Sequence, residues 1–188
     1  MENRKVVIFI IIIIIIISII AVSLFAWYQL ENLNDGLEFS TETVDNAPHP
    51  TFVKEAVDDA PVFIYFTQND ENCPPCARMR PEFKKLIDQY EDKVIFYIIN
   101  INEDEMEQVY KNEEETERIS NSEQENIYNT YDVDNIVGGG PATPTFIIVI
   151  KDGSKIKFAI GYGEFENEDA GETKEKLGKT LDYALKKY

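Results

Sequence analysis

A chain of 188 residues with 35 acidic against 18 basic side chains carries a formal net charge of −17. Such a surface repels phosphates, which argues against nucleic-acid binding and against contact of the soluble part with anionic lipid. The two cysteines are too few for a disulfide scaffold, in a chain long enough to bury its own core, and so point to a redox pair.

Val6 to Tyr28 is apolar apart from Ser18 and Ser23 and includes the isoleucines from Ile11 to Ile17. At about 1.5 Å per residue, a helix of that length spans a bilayer's hydrocarbon, where the backbone has no other way to satisfy its hydrogen bonds. Arg4 and Lys5 precede the span and Glu31, Asp35, Glu38 and Glu42 follow it, so the positive-inside bias predicts a cytoplasmic N-terminus and an extracytoplasmic remainder. Trp27 and Tyr28 fit an outer aromatic belt. A cleaved signal peptide is the rival, but it calls for a shorter apolar stretch and a small-residue cleavage site, which Phe25-Ala26-Trp27-Tyr28 matches poorly.

Residues 29–50 are polar and acidic and end in Pro48-His49-Pro50, a pattern that predicts a linker. His49, the single histidine, is expected as a linker residue rather than a ligand or base. The domain is expected over 51–188. A short helix is predicted over Thr51 to Asp59, a buried strand over Pro61 to Phe66, and a helix opened by Pro74-Pro75 in which Met79, Phe83, Leu86, Ile87 and Tyr90 recur. Val94 to Ile101 reads as a central parallel strand.

The segment of about 102–126 holds ten acidic residues against Lys111 and Arg118, and is expected as a solvated helix or pair of helices over one edge. Its charge is either a solvated surface or a docking face for a cationic peptide. Ile127 to Val133 is expected to be helical, Asn135 to Thr143 a turn, and Thr145 to Ile150 a strand. Lys151 to Ser154 then turns the chain into an antiparallel strand over Ile156 to Ile160, and Thr173 to Tyr188 closes as an amphipathic helix.

Cys73-Pro74-Pro75-Cys76 places two thiols across a turn at a helix N-terminus, close enough for a disulfide. The free amides and partial positive charge there favour a thiolate at Cys73, the species that attacks disulfides. Half of a zinc site would need two further ligands, which one histidine and no other cysteine do not supply. Haem attachment would need histidine where Ala77 stands; a purely structural disulfide stays open.

A strand, then Cys-x-x-Cys, then a helix with Pro81 five residues after the second cysteine resembles the thioredoxin family. Thr143-Pro144-Thr145 before an antiparallel strand, Lys151-Asp152-Gly153 and Gly161 extend the resemblance over roughly Thr51 to Tyr188. The resemblance implies an α/β fold, a mixed central sheet flanked by helices, and a thiol–disulfide oxidoreductase without metal or cofactor. Cys73 is the expected nucleophile and Cys76 the resolving thiol. Pro74, Pro75, Thr143 and Pro144 are the expected substrate-facing residues, with Pro144 cis.

Departures from the family pattern are Tyr65 near the position of a buried aspartate, Asn72 in place of a tryptophan, a loop over Gln68 to Asn72 about two residues longer, and the acidic insertion. They resemble membrane-tethered relatives outside the bacterial cytoplasm, which include cytochrome-maturation reductases and accessory proteins of bacteriocin export. The expected partners are protein or peptide thiols and disulfides and a membrane electron carrier. Electron flow as a reductase is expected because Pro74 and Pro75 lack amide hydrogens that would stabilise a Cys73 thiolate. A disulfide oxidase or isomerase for exported peptides, and a non-catalytic binding module, are the alternatives.

Overall fold

The computed structural model describes residues 36–41, 48–131, 143–163 and 169–188, together with Ser18. The expected membrane segment thus lies, apart from Ser18, outside the described residues, as does most of the turn expected over 135–143. Among the described residues no helix is long and apolar enough to cross a membrane.

Strand β1 (Val62–Thr67) has all six side chains buried. Alternation along a strand sends successive side chains to opposite faces, so an unbroken apolar run demands cover on both sides. Val62, Ile64 and Phe66 join one core; Phe63 and Tyr65 join another. The first core is closed by helices α1 (Thr51–Ala56) and α3 (Asn121–Tyr131), through Val53, Ala56, Ile127, Tyr128 and Tyr131. The second is closed by α2 (Pro74–Tyr90) and α4 (Ala170–Lys187), through Met79, Phe83, Leu86, Leu177, Leu181 and Ala184. Tyr90 Oη, donating to Asp182 Oδ1 at 2.8 Å, ties α2 to α4.

β1 pairs in parallel with β2 (Ile95–Asn100) and antiparallel with β5 (Thr145–Asp152). β5 turns at Gly153, φ 64°, into antiparallel β6 (Lys155–Tyr162). Among the described residues the sheet has six strands in the order β4-β3-β2-β1-β5-β6, with β3 (Glu105–Tyr110) and β4 (Glu113–Arg118) at the far edge.

Those two strands correct the expectation of helices over 102–126. Met106 and Val109 sit three apart, as on one face of a helix, and glutamate is a good helix former. In the strand the two side chains point to opposite faces, Met106 to the first core and Val109 to the second. Both are rewarded because the sheet is covered on both sides. Lys111 and Asn112, with φ of 53° and 60°, make the two-residue turn of the hairpin, in the left-handed region that tight hairpin turns need. The Lys111 amide donates to Glu91 O at 2.6 Å and Asn112 Nδ2 to Asp92 Oδ1 at 3.0 Å, so the turn is pinned to the end of α2. The helical part of the segment is α3, which starts at Asn121 rather than near Ile127.

The expected linker is partly docked. Ser40 bridges to Phe158 of β6, Leu37 N donates to Thr180 Oγ1 at 2.9 Å, and Phe39 meets the Tyr183 ring at 5.5 Å. His49 is half-buried, its Nδ1 3.0 Å from Tyr131 Oη and its ring 6.2 Å from that of Phe158.

The Phe63 ring, fully buried, touches those of Phe83, Phe96 and Phe146. Phe63→Ala is therefore expected to cost about 3–5 kcal/mol, read from the urea midpoint at unchanged slope. Burial, then repulsion from Lys54, lowers the His49 pKa from 6.5. Its contribution is then complete above pH 6.5 and is lost as pH falls through the lowered folded value. The fall in urea midpoint between pH 7.5 and 5 is expected to be smaller in His49→Gln than in wild type; equal falls would remove the assignment.

Candidate redox site

β1 ends at Thr67, and the chain crosses the sheet's end through Gln68 to Asn72 before entering α2. The Asn72 and Cys73 amides donate to Asn69 O at 2.9 and 3.1 Å, closing the loop into a turn. Arg80, one helical turn beyond Cys76, donates to Asp70 Oδ1 at 2.6 Å and to Gln68 O at 3.4 Å. Asn100 Nδ2, at the end of β2, donates to Asn69 Oδ1 at 3.3 Å. The longer loop is thus held by side chains from α2 and β2.

Cys73 is the N-cap of α2, with Pro74 and Pro75 as its first residues. Proline suits those places because its φ is preset and the missing amide would have no helical partner. The first amide to reach the sulfur is that of Cys76, which donates to Cys73 Sγ at 3.2 Å. Cys73 and Cys76 form a disulfide, S–S 2.05 Å with Cα atoms 5.2 Å apart. Both cysteines are buried, Cys73 with 4% of its surface exposed and Cys76 with none.

The Thr143–Pro144 peptide bond is cis. Thr143 O lies 3.3 Å from Cys73 Sγ, and Pro144 O accepts the Gly163 amide at 2.7 Å. Thr143 is half-buried and Pro144 buried. Of the expected site residues, then, Cys73, Cys76 and Thr143 come together. Pro74 is exposed and Pro75 half-buried at the helix start, and Pro144 is buried next to Thr143 in the chain.

Tyr65 is 3% exposed, its ring tilted against Phe83 at 4.1 Å and stacked on Phe146 at 5.3 Å. Its hydroxyl has no hydrogen-bond partner among the described residues. Burial is the main effect on the phenol and pushes its pKa up, with the charge of Arg80 opposing. The phenol therefore stays protonated at neutral pH and does not replace a carboxylate as a base. Sequence reasoning missed the Cys76 amide contact and the Arg80–Asp70 bridge; the first follows from the helix register, whereas a pair ten positions apart across a loop leaves no periodic signal.

A disulfide at the N-terminus of the helix that follows a central strand, faced by a cis-proline loop, defines a dithiol–disulfide centre. The family model for a thioredoxin-like domain matches residues 52–170, and the chain belongs to that family. No curated protein matches the chain. The domain and its cysteine pair are those of a thiol–disulfide oxidoreductase in outline.

Pro75→Ala restores an amide at the second helical position beside Cys73. An added donor is expected to raise the thiolate share of the reduced protein, increasing Cys73 alkylation by iodoacetamide several-fold near pH 7. An unchanged rate would show that the prolines do not limit the thiolate.

Proposed function

We propose that the protein is a reductase of protein disulfides outside the cytoplasm, with Cys73 as nucleophile and Cys76 as resolving thiol. The observation that carries this is the Cys73–Cys76 disulfide at the start of α2, where Cys73 is the N-cap, accepts the Cys76 amide and lies 3.3 Å from Thr143 O of the cis-proline loop. In the reduced protein the Cys73 thiolate attacks a substrate disulfide, breaking its S–S bond and releasing one substrate thiolate. The Cys76 thiolate then attacks Cys73 Sγ, breaking the mixed disulfide and releasing the second. Two electrons pass to the substrate, and the Cys73–Cys76 bond remains.

The substrate-facing roles of Pro74, Pro75, Thr143 and Pro144 belong to this proposal. Thr143 O, beside Cys73 Sγ, supports them by offering a backbone acceptor at the point where a substrate sulfur must arrive. The reducing direction is supported by the prolines, which withhold two amides from Cys73. The apolar run over 6–28 and the charges around it support a cell-membrane anchor with the domain outside a bacterial cytoplasm. A domain so placed draws its electrons from a membrane carrier.

The slight exposure of Cys73 favours a second reading, a non-catalytic binding module with a structural disulfide. The reduction potential of the protein, equilibrated with defined thiol–disulfide buffers, is expected near or below about −230 mV. A value well above about −180 mV would make it an oxidase or isomerase instead. Cys73→Ser/Cys76→Ser is expected to abolish disulfide reduction; partner capture retained by that variant, with no turnover by wild type, would establish the binding module.

A further inference from the structure

The groove between α1 and the β3–β4 hairpin encloses about 350 Å³. Phe52, Met106 and Ile119 line it with apolar surface, and Glu55, Glu117 and Glu123 line it with carboxylates. Arg118 also lines it, 3.7 Å from Glu105. Glu123 accepts from Ser120 N and Oγ at 3.1 and 2.7 Å and stays charged, so Glu55, Glu117 and Glu123 are three exposed carboxylates beside the apolar floor, with Arg118 the one cation among the described lining residues.

Strand alternation extends that charge. Met106 faces the first core and stands opposite Glu117, so Glu115 and Glu113 share its face along the sheet's edge. Burial, then the charges of Glu117 and Glu55, push the Tyr97 phenol up to about 12.

The groove also shares an end of the sheet with the disulfide. Arg118, Glu105, Asn100, Thr67 and Thr145 are successive cross-strand partners or neighbours at that end. Cys73 follows Thr67 through one loop, and Thr143 precedes Thr145. Three strand spacings separate β1 from β4, roughly 15 Å along the sheet. Because α2 covers the face opposite the groove, a peptide joining groove and disulfide must also pass over the sheet's end, a path of at least about five extended residues.

We propose that this groove is a docking subsite for a basic, extended segment of the protein whose disulfide the Cys73–Cys76 pair processes. It would seat an apolar side chain on Phe52, Met106 and Ile119, with lysine or arginine against Glu55, Glu117 and Glu115. The chemistry favours that occupant over others. A second copy of the chain carries the same −17 charge and is repelled, and the chain's own acidic residues 29–50 are equally mismatched. The docking role rests on the reductase reading, and the test separates the two.

The full-length protein, reduced beforehand, is given two peptides with the same disulfide. One carries Lys-Leu-Lys about five residues from a cysteine and the other Gln-Leu-Gln; a small neutral disulfide serves as a third substrate. The lysine peptide is expected to react about tenfold faster than the glutamine peptide at low salt. Most of that advantage should vanish in Glu55→Gln/Glu115→Gln/Glu117→Gln and survive in Asp88→Asn/Glu114→Gln/Glu175→Gln, which removes equal charge elsewhere. The neutral disulfide should react alike in all three proteins.

Equal rates for the two peptides, or equal loss in both triple variants, would overturn the groove. So would self-association that disappears in the groove variant while peptide rates stay unchanged. If wild type fails to reduce even the neutral disulfide, yet the labelled lysine peptide binds with groove-dependent anisotropy, the subsite stands and the reductase reading falls.

Discussion

The register between β1 and β5 is the constraint from which the site follows. Phe66 stands opposite Thr145, so the ends where β1 leaves the sheet and β5 enters it are adjacent. The residues just beyond, Cys73 after its loop and Thr143 before its strand, are thereby brought to one place. A slip of one residue would send every side chain of β1 to the wrong face, exchanging the Val62, Ile64 and Phe66 set with Phe63 and Tyr65. Both cores depend on that choice, and the 3.3 Å approach of Thr143 O to Cys73 Sγ is its consequence at the sheet's end.

The parts legible in the sequence are those whose physics is local. Unbroken apolar runs mark β1, β2 and β5 because doubly covered strands need no polar face. Two prolines after a cysteine mark a helix start because they suit its first turn. The hairpin β3–β4 was illegible because the Met106–Val109 spacing satisfies a helix and a doubly covered strand equally. Only the presence of β2, with a free edge to extend, decides between them. Its turn carries Lys111-Asn112 instead of a glycine, so the usual hairpin signal is missing. His49 was legible as a proline-flanked residue but not as a ring against Tyr131 and Phe158, since those partners are distant in sequence.

The acidic edge strand has two physical effects that arise from the same charges. An open strand edge is a template for pairing with another chain, and a row of like charges prevents a second copy from using it. Repulsion also costs stability within the hairpin: burial and the neighbouring Glu114 raise the pKa of Glu107, so its charged form is disfavoured. A strand that excludes its own kind by charge leaves attraction only to chains of opposite sign. Protection from self-pairing and the proposed docking of a basic segment would therefore rest on the same charges.

At the redox centre, helix stability and sulfur chemistry pull against each other. The first turn of a helix leaves its amides unpaired, and a cysteine at the N-cap is the natural recipient of their hydrogen bonds. Proline at the first two positions starts the helix well and removes those donors, so the Cys76 amide is the first to reach Cys73 Sγ. Tyr65 brings a buried, unionised phenol rather than a carboxylate to the second core. A thiolate that receives little help is less stable relative to the disulfide, and a dithiol of that kind gives up its electrons more readily. The same two prolines that fix where α2 begins thus also limit the hydrogen bonds that Cys73 Sγ can accept.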